Sequence, residues 1–164
     1  MMHIACICKH IGYISGMENL STINALRLLQ AADEFRAKLS GAFAAVHGLS
    51  VTEFLLLLHL ERAPANRLPR VELAKRMHVS ASTVTRMVAP MEKLGMVGRQ
   101  ADARDARLTF VVLSEAGRRK LEEALATFAL HAGYAFQDRW DDDELAQLSD
   151  LLYRLVPKGA GNLT

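Results

Sequence analysis

The 164-residue sequence has few of the residues that build disulfide-rich, loop-rich or membrane-spanning proteins. Its two cysteines, Cys6 and Cys8, are too few for a disulfide framework in a chain of this size. Four prolines and ten glycines exclude a loop-rich or collagen-like chain. The densest apolar stretch, Val51 to Leu60, contains polar residues and is shorter than the roughly 20 residues that cross a bilayer. We therefore expect a cytoplasmic protein with no membrane partner.

The sequence does contain enough apolar residues for a core and a charge distribution that varies along the chain. Hydrophobic residues make up 51% and charged residues 23%, fractions typical of a globular domain. The formal charge is only +2, but residues 67–107 hold nine basic and four acidic residues and so carry +5, which leaves −3 elsewhere. A basic segment of this kind favours a DNA-binding surface, because phosphate neutralisation dominates affinity for the duplex. The alternative is a solvated basic surface.

Helical periodicity organises the first part of the chain. Apolar residues at spacings of three and four predict a helix of about 28 residues that ends near Gly48. Ser50 and Glu53 have the spacing of a capping box, which predicts a second helix that continues to about Arg62. Residues 63–68 are predicted to be a loop.

The central part of the chain predicts a short helix, a tight turn, a capped helix and a hairpin. Pro69 suits the first position of a third helix that runs to Met77, and Ser80 suits the N-cap of a fourth. Gly95 has the position of a left-handed C-terminal cap. Two segments rich in β-branched and aromatic residues, 96–100 and 108–113, then predict a β-hairpin with a charged tip.

Two further helices complete the prediction. Ser114 restarts helical structure, and a last helix begins in the acidic residues 141–144 and ends at Pro157. The apolar stripes of the first and last helices are too long for the central segment to cover, so we expect a homodimer.

The predicted fold is mainly α with a small β-hairpin wing (α+β), a winged helix-turn-helix core flanked by N- and C-terminal dimerisation helices. We predict one domain with a tail at each end, and a native start at Met17 is a hypothesis that intact mass would test. The divisions are a tail at 1–16, a single domain at 17–156 with dimerisation helices at 17–48 and 115–156 and the winged core at 50–113, and a tail at 157–164.

The fourth predicted helix carries the most informative pattern. Five apolar residues share one face: Val84, Met87, Val88, Met91 and Leu94. The opposite face presents small and hydroxyl residues around Arg86, whose guanidinium suits a bidentate contact with guanine. We predict that the DNA-contacting residues here are Ser80, Ser82, Thr83, Thr85 and Arg86. The alternative is an ordinary amphipathic surface helix, although its outer face would more often carry Lys and Glu.

Residues 73–117, LAKRMHVSASTVTRMVAPMEKLGMVGRQADARDARLTFVVLSEAG, resemble the DNA-binding core of the MarR (multiple antibiotic resistance regulator) family. The matching elements are Leu73-Ala74, Val79-Ser80, Ser82 to Arg86, Met91-Glu92, Gly95, Asp102-x-x-Asp105-x-Arg107 in the wing, and Leu113-Ser114-x-x-Gly117. Three residues depart from the family pattern. His78 replaces a common glycine in the turn, and Ala89-Pro90 replaces a common Asp-Arg pair, so that Pro90 falls inside the recognition helix.

This resemblance implies a homodimeric transcriptional regulator, expected to be a repressor, that binds double-stranded DNA at a pseudo-palindromic operator. It implies that Arg107 enters the minor groove while Asp105 orients it, with Arg104 beside them; a surface ion pair is the alternative for Asp105 and Arg107. Phosphate contacts are predicted for four further basic residues: Arg70, Lys75, Arg76 and Arg99.

The resemblance also implies regulation by a small aromatic or phenolic effector. The predicted pocket residues, each of which has an ordinary core or surface role as its alternative, are Phe35, Arg36, Phe54, Leu58 and His59. A second hypothesis is a metal- or oxidant-sensing regulator that uses four potential soft-metal ligands: His3, Cys6, Cys8 and His10. No catalytic or nucleotide-binding fingerprint is present, so we expect neither an enzyme nor a bound cofactor.

Overall fold

The computed structural model describes residues 19–102 and 109–155. The predicted tails at 1–16 and 157–164 therefore lie outside the described residues, as do the three predicted wing residues Arg104, Asp105 and Arg107. The chain divides into two compact units, Met1–Lys38 and Leu39–Thr164.

Across the described residues, the fold contains six α-helices, one 3-10 helix and three short strands. Their order is α1 (Leu20–His47), α2 (Val51–Glu61), the 3-10 helix (Pro64–Asn66), β1 (Arg67–Pro69), α3 (Arg70–Arg76), α4 (Ala81–Lys93), β2 (Val97–Ala101), β3 (Thr109–Leu113), α5 (Glu115–Phe136) and α6 (Asp142–Leu155). The mainly α fold with a small antiparallel sheet confirms the predicted class.

Side-chain caps fix where the central helices begin. The Ser50 hydroxyl accepts the Glu53 amide while the Glu53 carboxylate accepts the Ser50 amide, and this confirms the predicted capping box. Ser80 caps α4 and Ser114 caps α5 in the same way, each accepting a backbone amide three residues on. The helix end is also as predicted at Gly95, whose φ of +71° places it in the left-handed region after α4.

The three strands form one antiparallel sheet in the order β1-β3-β2. Leu68 pairs with Val111, and Val97 pairs with Leu113, so these four apolar side chains share the buried face. The prediction of a loop over residues 63–68 is wrong, because Pro64–Asn66 forms a 3-10 turn and Arg67–Pro69 forms a strand. A three-residue strand has no periodicity of its own and is defined only by its pairing with β3.

The core of the second unit lies between α2, α3, α4, the inner face of the sheet and the first half of α5. Phe54 of α2 is buried in an aromatic group, with ring centroids 5.0 Å from Phe43 of α1 and 5.6 Å from Phe128 of α5. This aromatic group holds the end of α1 beside α2 and α5 within the same unit.

Exposed apolar side chains are concentrated toward both ends of the described chain. They include Leu20, Leu26 and Leu29 on α1, Leu130 and Tyr134 on α5, and Leu151, Leu152 and Leu155 on α6. No single helix among the described residues is long and apolar enough to cross a membrane; the pair α1 and α2, bent by 80°, passes by length and composition alone.

Candidate DNA interface

The face of α4 opposite the core has the composition that the sequence predicted. Val84, Val88 and Met91 are buried, whereas Ser82, Arg86 and Lys93 are exposed. The prediction that Leu94 shares this buried face is wrong. Helix α4 ends at Lys93, and Leu94 at the C-cap is 67% exposed.

The N-terminus of α4 carries a group of mutually hydrogen-bonded hydroxyls. The Ser80 hydroxyl lies 2.8 Å from that of Ser82 and 2.9 Å from that of Thr83. All of these contacts are exposed, at the positive end of the helix dipole, where amide and hydroxyl donors suit a phosphate or a base edge. The predicted contact residues Ser80, Ser82 and Thr83 are therefore brought together.

Arg86 lies one turn further along the same exposed surface. Its Nη2 is 3.5 Å from the Thr83 hydroxyl, at the long limit for a hydrogen bond, so the guanidinium is weakly held. Thr85 instead donates its hydroxyl to the carbonyl oxygen of Ala81, within α4. The structure therefore presents Arg86 more openly than Thr85, whose hydroxyl hydrogen is already donated.

Two unusual residues are accommodated without breaking the helix-turn-helix. His78, in the turn before α4, has a φ of +53°, which is the left-handed conformation that a glycine would adopt at lower cost. Pro90 lies inside α4, and its carbonyl oxygen accepts the Leu94 amide at 3.1 Å. The missing amide at residue 90 removes the helical partner of the Arg86 carbonyl, but α4 is continuous from Ala81 to Lys93.

The four predicted phosphate-contacting residues differ in how the protein already uses them. Arg76 pairs with Glu72 at 2.9 Å and Arg99 pairs with Glu92 at 2.6 Å, whereas Arg70 begins α3 half-buried and Lys75 is exposed on the same helix. Each ion pair uses the Nε atom, and an arginine has further N–H donors for a phosphate. The pair of Arg76 with Glu72 has the i, i+4 spacing of a helical ion pair, whereas the pair of Arg99 with Glu92 joins two elements and was not apparent from sequence spacing.

The structure adds a basic residue that the sequence analysis missed. Arg67 of β1 lies with its guanidinium carbon 4.7 Å from the centre of the Phe110 ring, and its Nη1 donates to the Gln100 side chain at 3.0 Å. The position of Arg67 beside Phe110 and Gln100 could not be predicted, because residues 63–68 carry no strand pattern.

The first turn of α5 is fastened to the loop that follows α4. The Ser114 hydroxyl lies 2.6 Å from the Gly95 carbonyl oxygen and 2.9 Å from that of Met96. A Cβ at Gly117 would lie 2.0 Å from the Met96 carbonyl oxygen, so only glycine permits this approach. These contacts give a physical reason for the Ser114-x-x-Gly117 spacing.

An ionic group continues this attachment one turn later. Arg118 Nη1 lies 2.5 Å from Glu61 Oε1 at the end of α2. With its amide nitrogen toward Glu61, Asn66 donates to the Glu61 carbonyl at 3.0 Å and accepts from Arg118 at 2.8 Å. The start of α5 is thus bound to α2 as well as to the turn after α4.

The predicted effector-pocket residues fall in two environments. Phe54, Leu58 and His59 are buried on α2, while Phe35 and Arg36 belong to the first unit. His59 is only 5% exposed, and this burial lowers the pKa of its imidazole below the usual 6.5; electrostatic repulsion from Arg76, Arg62 and His78 lowers it further. His59 therefore favours the neutral form in the folded protein.

The alternative sensing site falls outside the part of the chain that the structure describes, since His3, Cys6, Cys8 and His10 all precede residue 19. Within residues 19–102 and 109–155, no group of three or more His, Cys, Asp or Glu residues could hold a metal ion.

Comparison with known proteins places this geometry in a family. A family model described as MarR family matches residues 47–108. The transcriptional repressor YetL of Bacillus subtilis is 29% identical over 116 residues, which cover 69% of this chain and 70% of YetL.

Solved structures agree over a longer stretch. A probable transcriptional regulator from Pseudomonas aeruginosa is 30% identical, with a TM-score of 0.68, over 84% of this chain and all of that one. The MarR family regulator Sco3205 of Streptomyces coelicolor, solved in complex with DNA, is 24% identical, with a TM-score of 0.73, over 88% of this chain and 94% of that one.

The fold and the outward face of α4 define a winged helix-turn-helix protein. The chain belongs to the MarR family and is a DNA-binding transcriptional regulator. This family consists of regulators rather than enzymes, in agreement with the lack of catalytic fingerprints in the sequence.

Proposed function

We propose that the protein is a homodimeric repressor that binds a pseudo-palindromic DNA site and is released by a small amphipathic ligand. The observation that carries this proposal is the exposed face of α4, where serine and threonine hydroxyls surround Arg86 and the opposite face is buried. In this proposal α4 lies in the major groove and the wing residues Arg104, Asp105 and Arg107 reach the adjacent minor groove.

The chemistry of α4 supports base contacts near its N-terminus. Arg86 carries a planar guanidinium with several donors, and a weak contact with Thr83 leaves it able to turn toward the O6 and N7 atoms of a guanine. The hydroxyls of Ser82 and Thr83 contact bases or phosphates, and the Ser80 cap fixes the helix N-terminus beside the DNA backbone. All of these side chains precede Pro90, and although the Arg86 carbonyl loses its helical partner there, α4 continues unbroken to Lys93.

Basic residues around α4 supply the part of the affinity that does not depend on sequence. We assign phosphate contacts to Arg70 and Lys75 on α3 and to Arg76 and Arg99 through the donors that their ion pairs leave. Residues 67–107 carry a net +5 in a chain of net +2, which favours a polyanion at this segment.

Dimerisation is supported by the apolar side chains exposed toward both ends of the chain. Leu26 and Leu29 on α1, and Leu151 and Leu155 on α6, are each about half exposed or more. Exposed apolar side chains on a helix favour burial against a partner, and a two-fold axis matches two half-sites on DNA. Sedimentation at micromolar concentration tests this point, and a monomer would contradict it.

Repression is supported by the relative YetL, which is named as a transcriptional repressor. Its identity of 29% extends over 69% of this chain. A reporter gene placed behind the selected operator measures the sign directly: expression that rises when the protein is deleted supports repression, and expression that falls makes the protein an activator.

For the effector, we propose a small aromatic ligand that contacts Phe54, Leu58 and His59 on α2. Release from DNA requires only that the ligand prefer a dimer whose half-site spacing does not fit the operator. Salicylate and a panel of phenols serve as probes. A fall in operator affinity that Phe54→Leu abolishes supports the assignment, and a panel without effect contradicts it.

The central experiment selects bound duplexes from a random DNA pool and compares wild type with Arg86→Ala. We expect a palindromic consensus for wild type, and for Arg86→Ala affinity lower by about tenfold or more with relaxed preference at one base pair, since one bidentate contact is worth about 1–3 kcal/mol. Arg119→Ala on α5 removes the same charge outside the winged core and is the matched control. If both variants bind alike, the assignment of α4 is wrong.

A further inference from the structure

The base of the wing is held on both faces of the sheet, and the phosphate contact assigned to Arg99 does not account for this arrangement. Arg99 and Gln100 are neighbours on β2, so their side chains point to opposite faces. Arg99 pairs in register with the buried Val111, and Gln100 pairs with Phe110 on the outer face. We call Arg99, Gln100 and Phe110 the wing root.

On the inner face, the wing root is attached to the recognition helix. Arg99 Nε lies 2.6 Å from Oε1 of Glu92, in the last turn of α4. The side chain of Glu92 is 21% exposed and that of Arg99 is 47% exposed, so the pair is partly shielded from water at its acidic end. A short charge-assisted contact of this kind fixes an angle between two elements better than a long surface pair does.

On the outer face, the wing root is attached to β1. The sheet order β1-β3-β2 places β3 between Arg67 and Gln100. The Arg67 side chain crosses β3 over the Phe110 ring, at 4.7 Å from its centre, and donates to Gln100 at 3.0 Å. One side chain thereby joins all three strands at the residues next to the wing tip.

We propose that Glu92 and Arg67 are positioning residues for DNA binding: they hold the wing root from its two faces and so fix the separation between α4 and the wing. This inference rests on the proposed function, in which α4 and the wing contact the same duplex. A fixed separation lets both elements bind without first ordering the hairpin, which lowers the entropic cost of association.

The sign of the Glu92→Gln effect separates this proposal from simple electrostatics. Removing an acidic charge beside a polyanion strengthens binding if charge alone matters. A positioning role predicts the reverse, because Arg99 loses its anchor and the hairpin turns away from its docked orientation. We expect Glu92→Gln to bind on the order of fivefold more weakly, the scale of coupling between residues in contact.

The experiment uses the full-length protein and a duplex obtained by random-pool selection. Hydroxyl-radical footprinting reports the flanking minor grooves, and dimethyl sulfate protection reports guanines in the major groove. For Glu92→Gln we expect flank protection to be lost while major-groove protection remains. Glu123→Gln is the matched control, because it removes the same charge from an ion pair of 2.7 Å with Lys120 on α5.

Arg67→Lys tests the outer contact without changing charge. A lysine retains the positive charge but lacks the planar guanidinium that stacks on Phe110 and reaches Gln100. We expect the same loss of flank protection as in Glu92→Gln. Thermal unfolding of each variant checks that the fold is retained, and Arg67→Lys keeps the test open if Glu92→Gln does not fold.

A double-mutant cycle gives the decisive comparison. If Glu92 acts through Arg99, then Glu92→Gln has no further effect on flank protection once Arg99→Gln is present. Additive effects, or a Glu92→Gln variant that binds at least as tightly as wild type with its flanks protected, overturn the proposal. If the wild-type protein does not protect the flanking minor grooves, both the positioning role and the proposed wing contact are overturned. If the wild-type protein protects them and neither Glu92→Gln nor Arg67→Lys changes that protection, only the positioning role is overturned.

Discussion

The two ends of α5 are built in opposite ways. At its start, Ser114, Gly117 and Arg118 bind the helix to the turn after α4 and to the end of α2 through backbone approach and polar contacts. Toward its end, Leu130 and Tyr134 are exposed, each by more than half. The first arrangement is complete within one chain, and the second favours an apolar partner. One helix therefore connects the orientation of the winged core with the proposed dimer surface.

The largest expected effect comes from disrupting the attachment at the start of α5. Gly117→Ala places a Cβ 2.0 Å from the Met96 carbonyl oxygen, so α5 must shift away from the turn after α4. We expect a loss of about 3 kcal/mol or more in the free energy of unfolding, measured by urea denaturation, at the upper end of ordinary overpacking costs.

Gly133→Ala is the control in the same helix. A Cβ at Gly133 meets nothing within 4 Å, so this substitution is expected to be neutral or to stabilise by about 0.5–1 kcal/mol through helix propensity. Equal effects at the two glycines would show that the close approach at Gly117 is not what secures α5.

The next largest expected effect concerns the exposed second half of α5. Leu130→Glu introduces a charge where the proposed dimer would bury a leucine in both subunits, each worth about 1.5 kcal/mol or more. We expect the dimer dissociation constant, measured by sedimentation, to rise roughly a hundredfold. Leu94→Glu, at a similarly exposed leucine on the winged core, should leave association unchanged. Association lost in both variants, or in neither, would remove the contrast between the two ends.

The smallest expected effect concerns His59 of α2, in the core of the unit to which the start of α5 is attached. His59 has a lowered pKa when folded, so below about pH 6.5 the unfolded chain binds the proton more readily than the folded one. Stability is therefore expected to fall as pH drops through this range. In His59→Gln this part of the pH dependence should disappear, as followed by urea denaturation between pH 7.5 and 5.5. The difference between the proteins at pH 7.5 reports packing alone, and parallel curves would assign the pH dependence to other groups.

The local signals in the sequence were sufficient for the helices. The Ser50 and Glu53 pair, the Ser80 cap and the left-handed Gly95 each depend on hydrogen bonds or backbone preferences within a few residues, and the structure confirms them. The face of α4 follows from the same local periodicity, apart from Leu94 beyond its last turn.

Contacts between distant residues could not be predicted in this way. Strand β1 is defined by pairing with β3 some forty residues later, and Arg67 has a role only because that pairing exists. The Glu92–Arg99 pair depends on how the hairpin folds back onto α4, and the Gly117 approach depends on where the Met96 carbonyl points. The contact residues of the wing and the effector site remain predictions.

The strand order also has a consequence for how the chain folds during synthesis. Arg67 pairs with Val112, so β1 has no pairing partner until β3 has been synthesised. Helices α2, α3 and α4 form from local contacts earlier, while the apolar side of Leu68 is still uncovered. The sheet closes as the wing emerges, and α5 can attach to the turn after α4 only when residues 114–118 follow. The attachment of α5 thus completes the winged core and also positions the second half of α5, with Leu130 and Tyr134, for the proposed subunit contact.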